Sequence, residues 1–217
     1  MALFCVLAPA HAEEPVAIEL LLALDSSASM NAEEFDLQVQ GIAQAFRDPE
    51  ILKAVKNLEP LGVAIAVSQW GGPGESRIVV PFTAIKTTRE AKAFGFRVSL
   101  GSRSFYAAST SITTAIEDGV ALLDTNKFDG QRKVIDISGD GPDNSGLDLP
   151  AARANSQKQG VAINGLAIES EDGGLTKYYE ENVIIGADAF VVTAKDFSDF
   201  ARAIKEKLLR ELRPLGS

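Results

Sequence analysis

The chain has 217 residues and a formal net charge of −9. That length fits one domain with a full apolar core. The acidic balance argues against nucleic acid, whose phosphates need Lys and Arg to displace counterions, and against electrostatic binding to anionic lipid. Cys5 and His11 are the only Cys and the only His. The rest of the chain therefore has no thiol, disulfide or imidazole, which excludes Ser-His-Asp and Cys-His catalysis and zinc sites built on Cys or His.

Residues 1–12 read as a signal peptide. The apolar run from Ala2 to Ala8 is broken by Pro9 and followed by Ala10-His11-Ala12, an A-x-A cleavage pattern, although no Lys or Arg precedes the run. The run is too short to span a bilayer. The expectation is a periplasmic or secreted protein with one mature domain at 13–217 and no membrane insertion after signal removal.

From there strand and helix patterns alternate, which favours a parallel sheet with helices on both faces. Residues 16–24 are nearly all apolar, as in a strand buried on both sides. Asn31 and Glu34 form a capping box for a helix whose Phe35, Val39, Ile42 and Phe46 recur at helical spacing. Pro49 limits that helix, and 50–56 read as a short continuation. Residues 63–70 are a second strand, and Gly71-Gly72-Pro73-Gly74 a tight turn into a third at 77–82. That link has no room for a crossover helix, so these two strands pair antiparallel. Thr87 and Glu90 cap a helix to about Phe96. A loop at 99–110 precedes a helix with Ile112, Ile116, Val120 and Leu123 on one face. Residues 132–138 are the fourth strand. Pro150 opens a helix that Gly160 terminates. Strands at 161–168 and 189–193 flank a helical turn at 176–181. Asp196 caps a last helix with Phe197, Phe200, Ala201, Ile204 and Leu208 on its apolar stripe. The predicted fold class is α/β: a doubly wound, mostly parallel six-stranded sheet of order 3-2-1-4-5-6, strand 3 antiparallel, with helices on both faces.

The chemistry concentrates at two strand ends. Asp25-Ser26-Ser27-Ala28-Ser29, a D-x-S-x-S pattern, follows the first strand, and Ser138-Gly139-Asp140-Gly141 ends the fourth. In a doubly wound sheet these strands are neighbours, and ligands bind at the carboxyl ends where the strand order reverses. Two carboxylates facing each other there repel unless a cation lies between them. A carboxylate and two hydroxyls at alternate loop positions suit a hard ion such as Mg²⁺, with Mn²⁺ or Ca²⁺ as alternatives. Ser and Asp are also common caps and turn formers. Asp143 and Asn144 read as a Pro-Asp turn, Trp70 as a core or rim aromatic, and one of Tyr178 and Tyr179 as buried.

D-x-S-x-S after strand one, a threonine ahead of a helix and Asp-Gly after strand four resemble the von Willebrand factor A-type (vWA) domain and its metal-ion-dependent adhesion site (MIDAS). The resemblance covers about 16–212. It implies metal ligation by Asp25, Ser27, Ser29, Thr110 and Asp140, with Thr110 taking the third-loop role through Thr110-Ser111-Ile112-Thr113-Thr114-Ala115-Ile116. Ser109 stands where the family has glycine, and Ser109, Ser111 and Thr113 compete with Thr110 as the third-loop hydroxyl. The stretches Tyr178-Tyr179-Glu180-Glu181-Asn182-Val183-Ile184 and Ala189-Phe190-Val191-Val192 resemble an exported bacterial branch of unassigned function.

The resemblance implies a non-enzymatic binding module whose cation accepts a carboxylate from a protein partner. The alternatives are a Mg²⁺-dependent hydrolase of phosphate esters and a sensor or solute-binding protein with a structural metal. Against hydrolysis stands the lack of His, and of Lys or Arg adjoining the metal loops, to act as base or charge clamp.

Overall fold

The computed structural model describes residues 13–169 and 173–214. The signal-peptide expectation for 1–12 lies outside them. Six strands form one sheet of order β3-β2-β1-β4-β5-β6: β1 (Glu14–Asp25), β2 (Val63–Trp70), β3 (Ser76–Ile85), β4 (Phe128–Gly139), β5 (Val161–Ile168) and β6 (Val191–Ala194). All neighbours are parallel except β2 and β3, as the short Gly-rich turn requires.

The helices are α1 (Ala32–Ala45), α2 (Pro49–Lys56), α3 (Thr88–Ser99), α4 (Ile112–Thr125), α5 (Leu149–Lys158), α6 (Leu175–Asn182) and α7 (Phe200–Glu211). The capping boxes Asn31/Glu34 and Thr87/Glu90 both form. On one face Leu20, Leu22 and Leu24 of β1 pack with Phe35, Phe46, Phe94 and Phe200 of the α1, α3 and α7 region. On the other, Leu21 and Ala23 meet Ile112, Ile116 and Tyr179 of α4 and α6. β1 is thus apolar on both sides because both sides are covered. Truncating a residue such as Leu22, which is 1% exposed, to Ala should cost about 2–5 kcal/mol.

Several boundaries differ from the sequence reading, among them that β3 runs on to Ile85 and β6 spans Val191–Ala194. β4 starts at Phe128, because its amino end pairs with β1 from Glu14↔Phe128 onward and Gly130 N–H donates to the buried Glu19 carboxylate at 2.7 Å. α2 is a separate helix with its own cap, Asp48. The last helical segment divides: Asp196 caps a 3₁₀ turn (Phe197–Asp199) and α7 follows. Among the described residues no helix is long and apolar enough to cross a membrane.

Candidate metal centre

β1 and β4 end side by side, so Asp25, the last residue of β1, and Asp140, just after β4, come to the same edge of the sheet. Asp25 is fully buried. Its Oδ1 accepts the Ser27 N–H at 2.7 Å, which tightens the first turn of the loop. Ser26 turns away, bonding Trp70 O through both its N–H (2.8 Å) and its hydroxyl (3.0 Å). Ser27 and Ser29 therefore share one side. Their Oγ atoms are 3.1 Å apart, and Ser29 Oγ donates to Asp140 Oδ1 at 2.9 Å.

Of the third-loop hydroxyls, Thr110 Oγ1 is the one that touches this group, 3.4 Å from Ser27 Oγ. Ser111 caps α4 and bonds Thr114 Oγ1 at 3.0 Å. Thr113 Oγ1 donates to Asp143 Oδ2 at 3.0 Å. Thr110 is itself clasped by the fourth loop: its N–H donates to Asn144 Oδ1 at 2.7 Å and its carbonyl accepts the Asn144 N–H at 3.0 Å. Asp143 bonds Thr113 and Ser145 with both oxygens. Asp143 and Asn144 thus act as loop fasteners, consistent with the turn reading, and Trp70 and Tyr179 are buried as expected.

The electrostatics are unusual. Burial pushes the Asp25 carboxyl up to about 7, opposed by the Ser27 N–H and reinforced by Asp140. Burial also raises Asp140. Asp25 Oδ2 and the Tyr179 hydroxyl are both buried without a hydrogen-bond partner. They lie on the same side of Gly139: a Cβ added there would stand 2.8 Å from the Tyr179 hydroxyl and 3.1 Å from Asp25 Oδ2. Glycine is required at this position so that the carboxylate and the phenol can approach the backbone.

One residue that sequence reasoning missed organises the first loop. Arg103 lies inside the 99–110 loop, correcting the expectation that no Lys or Arg adjoins the metal loops. Its guanidinium does not face the carboxylates. Nε donates to Ser26 O (3.1 Å) and Phe105 O (2.9 Å), Nη1 to Met30 O (2.6 Å) and Nη2 to Ser27 O. A rigid fork of donors thus ties the carbonyls of loop one to loop three. The Tyr106 ring, 71% exposed, covers it, with the guanidinium carbon 4.4 Å from the ring centroid. No sequence signal marks an arginine whose partners are backbone carbonyls, because any residue type supplies those.

The arrangement collects two carboxylates and three hydroxyls. Among the described residues no group of three or more His, Cys, Asp and Glu gathers anywhere, so a soft-metal or all-carboxylate cage is not on offer. The donor set fits a hard divalent cation, which takes oxygen ligands and keeps some of its waters. The buried, unpartnered Asp25 Oδ2 is the atom most in need of such a partner.

Comparison with solved structures shows the fold to be that of vWA domains. The chain superposes on proximal thread matrix protein 1 from the mussel byssus, in a structure with a zinc-occupied MIDAS motif, with TM-score 0.69 and 17% identity over 92% of this chain and 48% of that one. The open conformation of the pilus adhesin SpaC from Lactobacillus rhamnosus GG matches at TM-score 0.61 and 14% identity, over 91% of this chain and 30% of the adhesin. The SpRpn10 VWA domain matches at 0.58 and 14%, over 85% and 94%. The chain thus spans about half the length of the mussel protein and under a third of the adhesin. No curated protein matches the sequence. Residues 15–215 match the family described as "Protein of unknown function (DUF1194)", and the chain belongs to that family.

Proposed function

We propose that this DUF1194 member is an exported, non-enzymatic binding module, matured by removal of residues 1–12, that engages a carboxylate on a protein partner through a divalent cation, Mg²⁺ before Mn²⁺ or Ca²⁺. Asp25, Ser27, Ser29, Thr110 and Asp140 would hold the ion. When bound, it supplies an open coordination position for an incoming oxygen. The observation that carries the reading is the buried Asp25 beside the half-buried Asp140 at one sheet edge, with Asp25 Oδ2 lacking any partner and no Lys or Arg forming an ion pair with either acid among the described residues. The chain's own groups do the rest: Arg103 and Asn144 fix the loops, and the hydroxyls present their oxygens on one side.

A hydrolytic reading has less support. Arg103 is committed to carbonyls, so the cation nearest the loop does not offer a clamp for a phosphoryl group. The solved relatives add that a mussel matrix protein of this fold carries zinc at a MIDAS motif and that an adhesin contains the fold. The test is capture of envelope proteins by the immobilised domain in Mg²⁺ and again in EDTA, with Asp25→Ala as control. Capture that is indifferent to chelator or to the substitution sinks the proposal.

A further inference from the structure

At the opposite end of the sheet lies a solvent-open cavity of about 650 Å³, walled by the amino ends of β4 and β5, the turn before β6 and the carboxyl end of α7. It is remote from the candidate metal centre: Arg132 and Gly139 are about 23 Å apart along β4. Its size falls within the range of small-molecule sites, roughly 300–1,000 Å³. Its wall carries three arginines, Arg132, Arg210 and Arg213.

The three arginines border one concavity, and none of them meets an acid there. Among the described residues, none of the three forms an ion pair within 4.0 Å. The acids on the wall are otherwise placed. Glu211 accepts from Asn164 Nδ2 at 2.7 Å and Lys207 Nζ at 3.1 Å, and Asp188 stands exposed at the rim. Lys133, which also borders the cavity, sends its Nζ away to Leu123 O and Glu19.

Two of the guanidiniums are held in place. Arg132 Nη2 donates to the carbonyls of Glu211 and Arg213, both at 2.8 Å. The Arg210 guanidinium lies over the Phe190 ring, its central carbon 3.8 Å from the ring centroid. That stacking leaves the in-plane N–H groups of Arg210 free to meet an oxyanion in the bidentate geometry that guanidinium favours. Like charges gathered at one concavity are unfavourable by themselves, and an anion between them relieves the repulsion.

We infer that this cavity is a second binding site, for a small organic anion whose carboxylate or phosphate group sits against Arg210 and Arg132. A concave hollow of this size fits a small molecule better than a protein surface, which would seek a flatter and larger patch. This inference is independent of the proposed cation.

The probes are citrate for the carboxylate source and inorganic phosphate for the phosphate source. Each is titrated calorimetrically into the chain at constant ionic strength, with EDTA present so that no divalent ion takes part. At least one should bind saturably. Arg210→Ala, an exposed change that leaves the fold alone, should weaken that binding about tenfold or more, the loss of a charge-assisted bidentate contact. Arg210→Lys should fall between, keeping charge but not the planar fork, and Asp25→Ala should bind as the wild type does. No saturable binding of either probe overturns the inference, as does equal affinity in wild type and Arg210→Ala. Wild-type affinity in Arg210→Lys would show general attraction in place of a seat, and loss in Asp25→Ala would place the anion at the other pole.

Discussion

Two acidic pairs sit on this sheet, each with a fully buried aspartate, and they are resolved differently. In the first, Asp136 of β4 and Glu211 of α7 are almost wholly inaccessible, and the chain supplies its own cation: Lys207 Nζ lies 3.1 Å from Asp136 Oδ1 and 3.1 Å from Glu211 Oε1, itself fully buried. In the second, Asp25 and Asp140 have hydroxyls around them and no ammonium or guanidinium in ion-pair contact among the described residues. Burial pushes Asp136 up to about 7 even with Lys207 opposing it, as it does Asp25. One strand, β4, leads into both. The lesson is that this fold can neutralise buried carboxylates from within. Where it declines to do so, at the carboxyl ends of β1 and β4, the arrangement suits a cation from outside.

The largest test of that contrast removes the internal cation. Lys207→Met should destabilise the domain by about 3–5 kcal/mol in urea unfolding, because two buried acids lose their countercharge, and adding Asp136→Asn should recover part of the loss. A change under about 1 kcal/mol would mean that the ammonium is not what makes these acids tolerable.

Next comes the external cation. In thermal melts near pH 7.5, Mg²⁺ at about 100 times its dissociation constant should stabilise the wild type by about 2.7 kcal/mol relative to EDTA. Asp25→Ala should show little of this gain while remaining folded. Equal gains in the two proteins would place the ion elsewhere.

The proton competes with that cation, and the sign follows from the raised carboxyl. Asp25 moves from 3.8 to about 7 on folding. Between these values the folded chain holds a proton that the unfolded chain has lost. In EDTA this group's contribution to stability is therefore fully present below about pH 4 and falls as pH rises towards 7. Asp136 adds to the same trend. The Mg²⁺-induced gain should run the other way, small at pH 5 and larger at pH 7.5. A gain independent of pH would show that Asp25 is not a ligand.

The smallest expected effect concerns the loop fastener. Arg103→Lys keeps the charge but loses the fork that reaches four carbonyls. Mg²⁺ affinity by calorimetry should drop about tenfold, as when a residue orienting metal ligands is lost. Unchanged affinity would mean that the first loop holds its shape without Arg103.

Much of this was legible in the residues themselves. Strand order followed from the alternation of buried runs and helical stripes, together with a glycine turn too short for a crossover. The gathering of hydroxyls beside Asp25 was legible because D-x-S-x-S is local: five consecutive residues place three oxygens. The internal cluster was not. Lys207 and Glu211 lie on α7, where charge normally signals a solvated face, and nothing near them in sequence announces that Asp136 waits across the sheet. Arg103 was hidden for a related reason, since its partners are main-chain carbonyls 73 to 77 residues away as well as that of Phe105 nearby. The extension of β4 was masked by Gly130, whose role is to let Glu19 reach its N–H.

The central position of β1 has a consequence in time. β1 pairs with β2, and on its other edge with β4, where Glu14 meets Phe128 and Leu24 meets Ser138. At ribosomal speeds of about 5–20 residues per second, the stretch separating Asp25 from Asp140 takes roughly 6–23 s to make. Through that interval a strand covered on both faces in the finished fold has one edge unpaired. Neither carboxylate has its counterpart, and the candidate cation site is not yet assembled. A nascent chain of this topology stays unlocked until β4 emerges, and β1, among the earliest strands made, is enclosed only then.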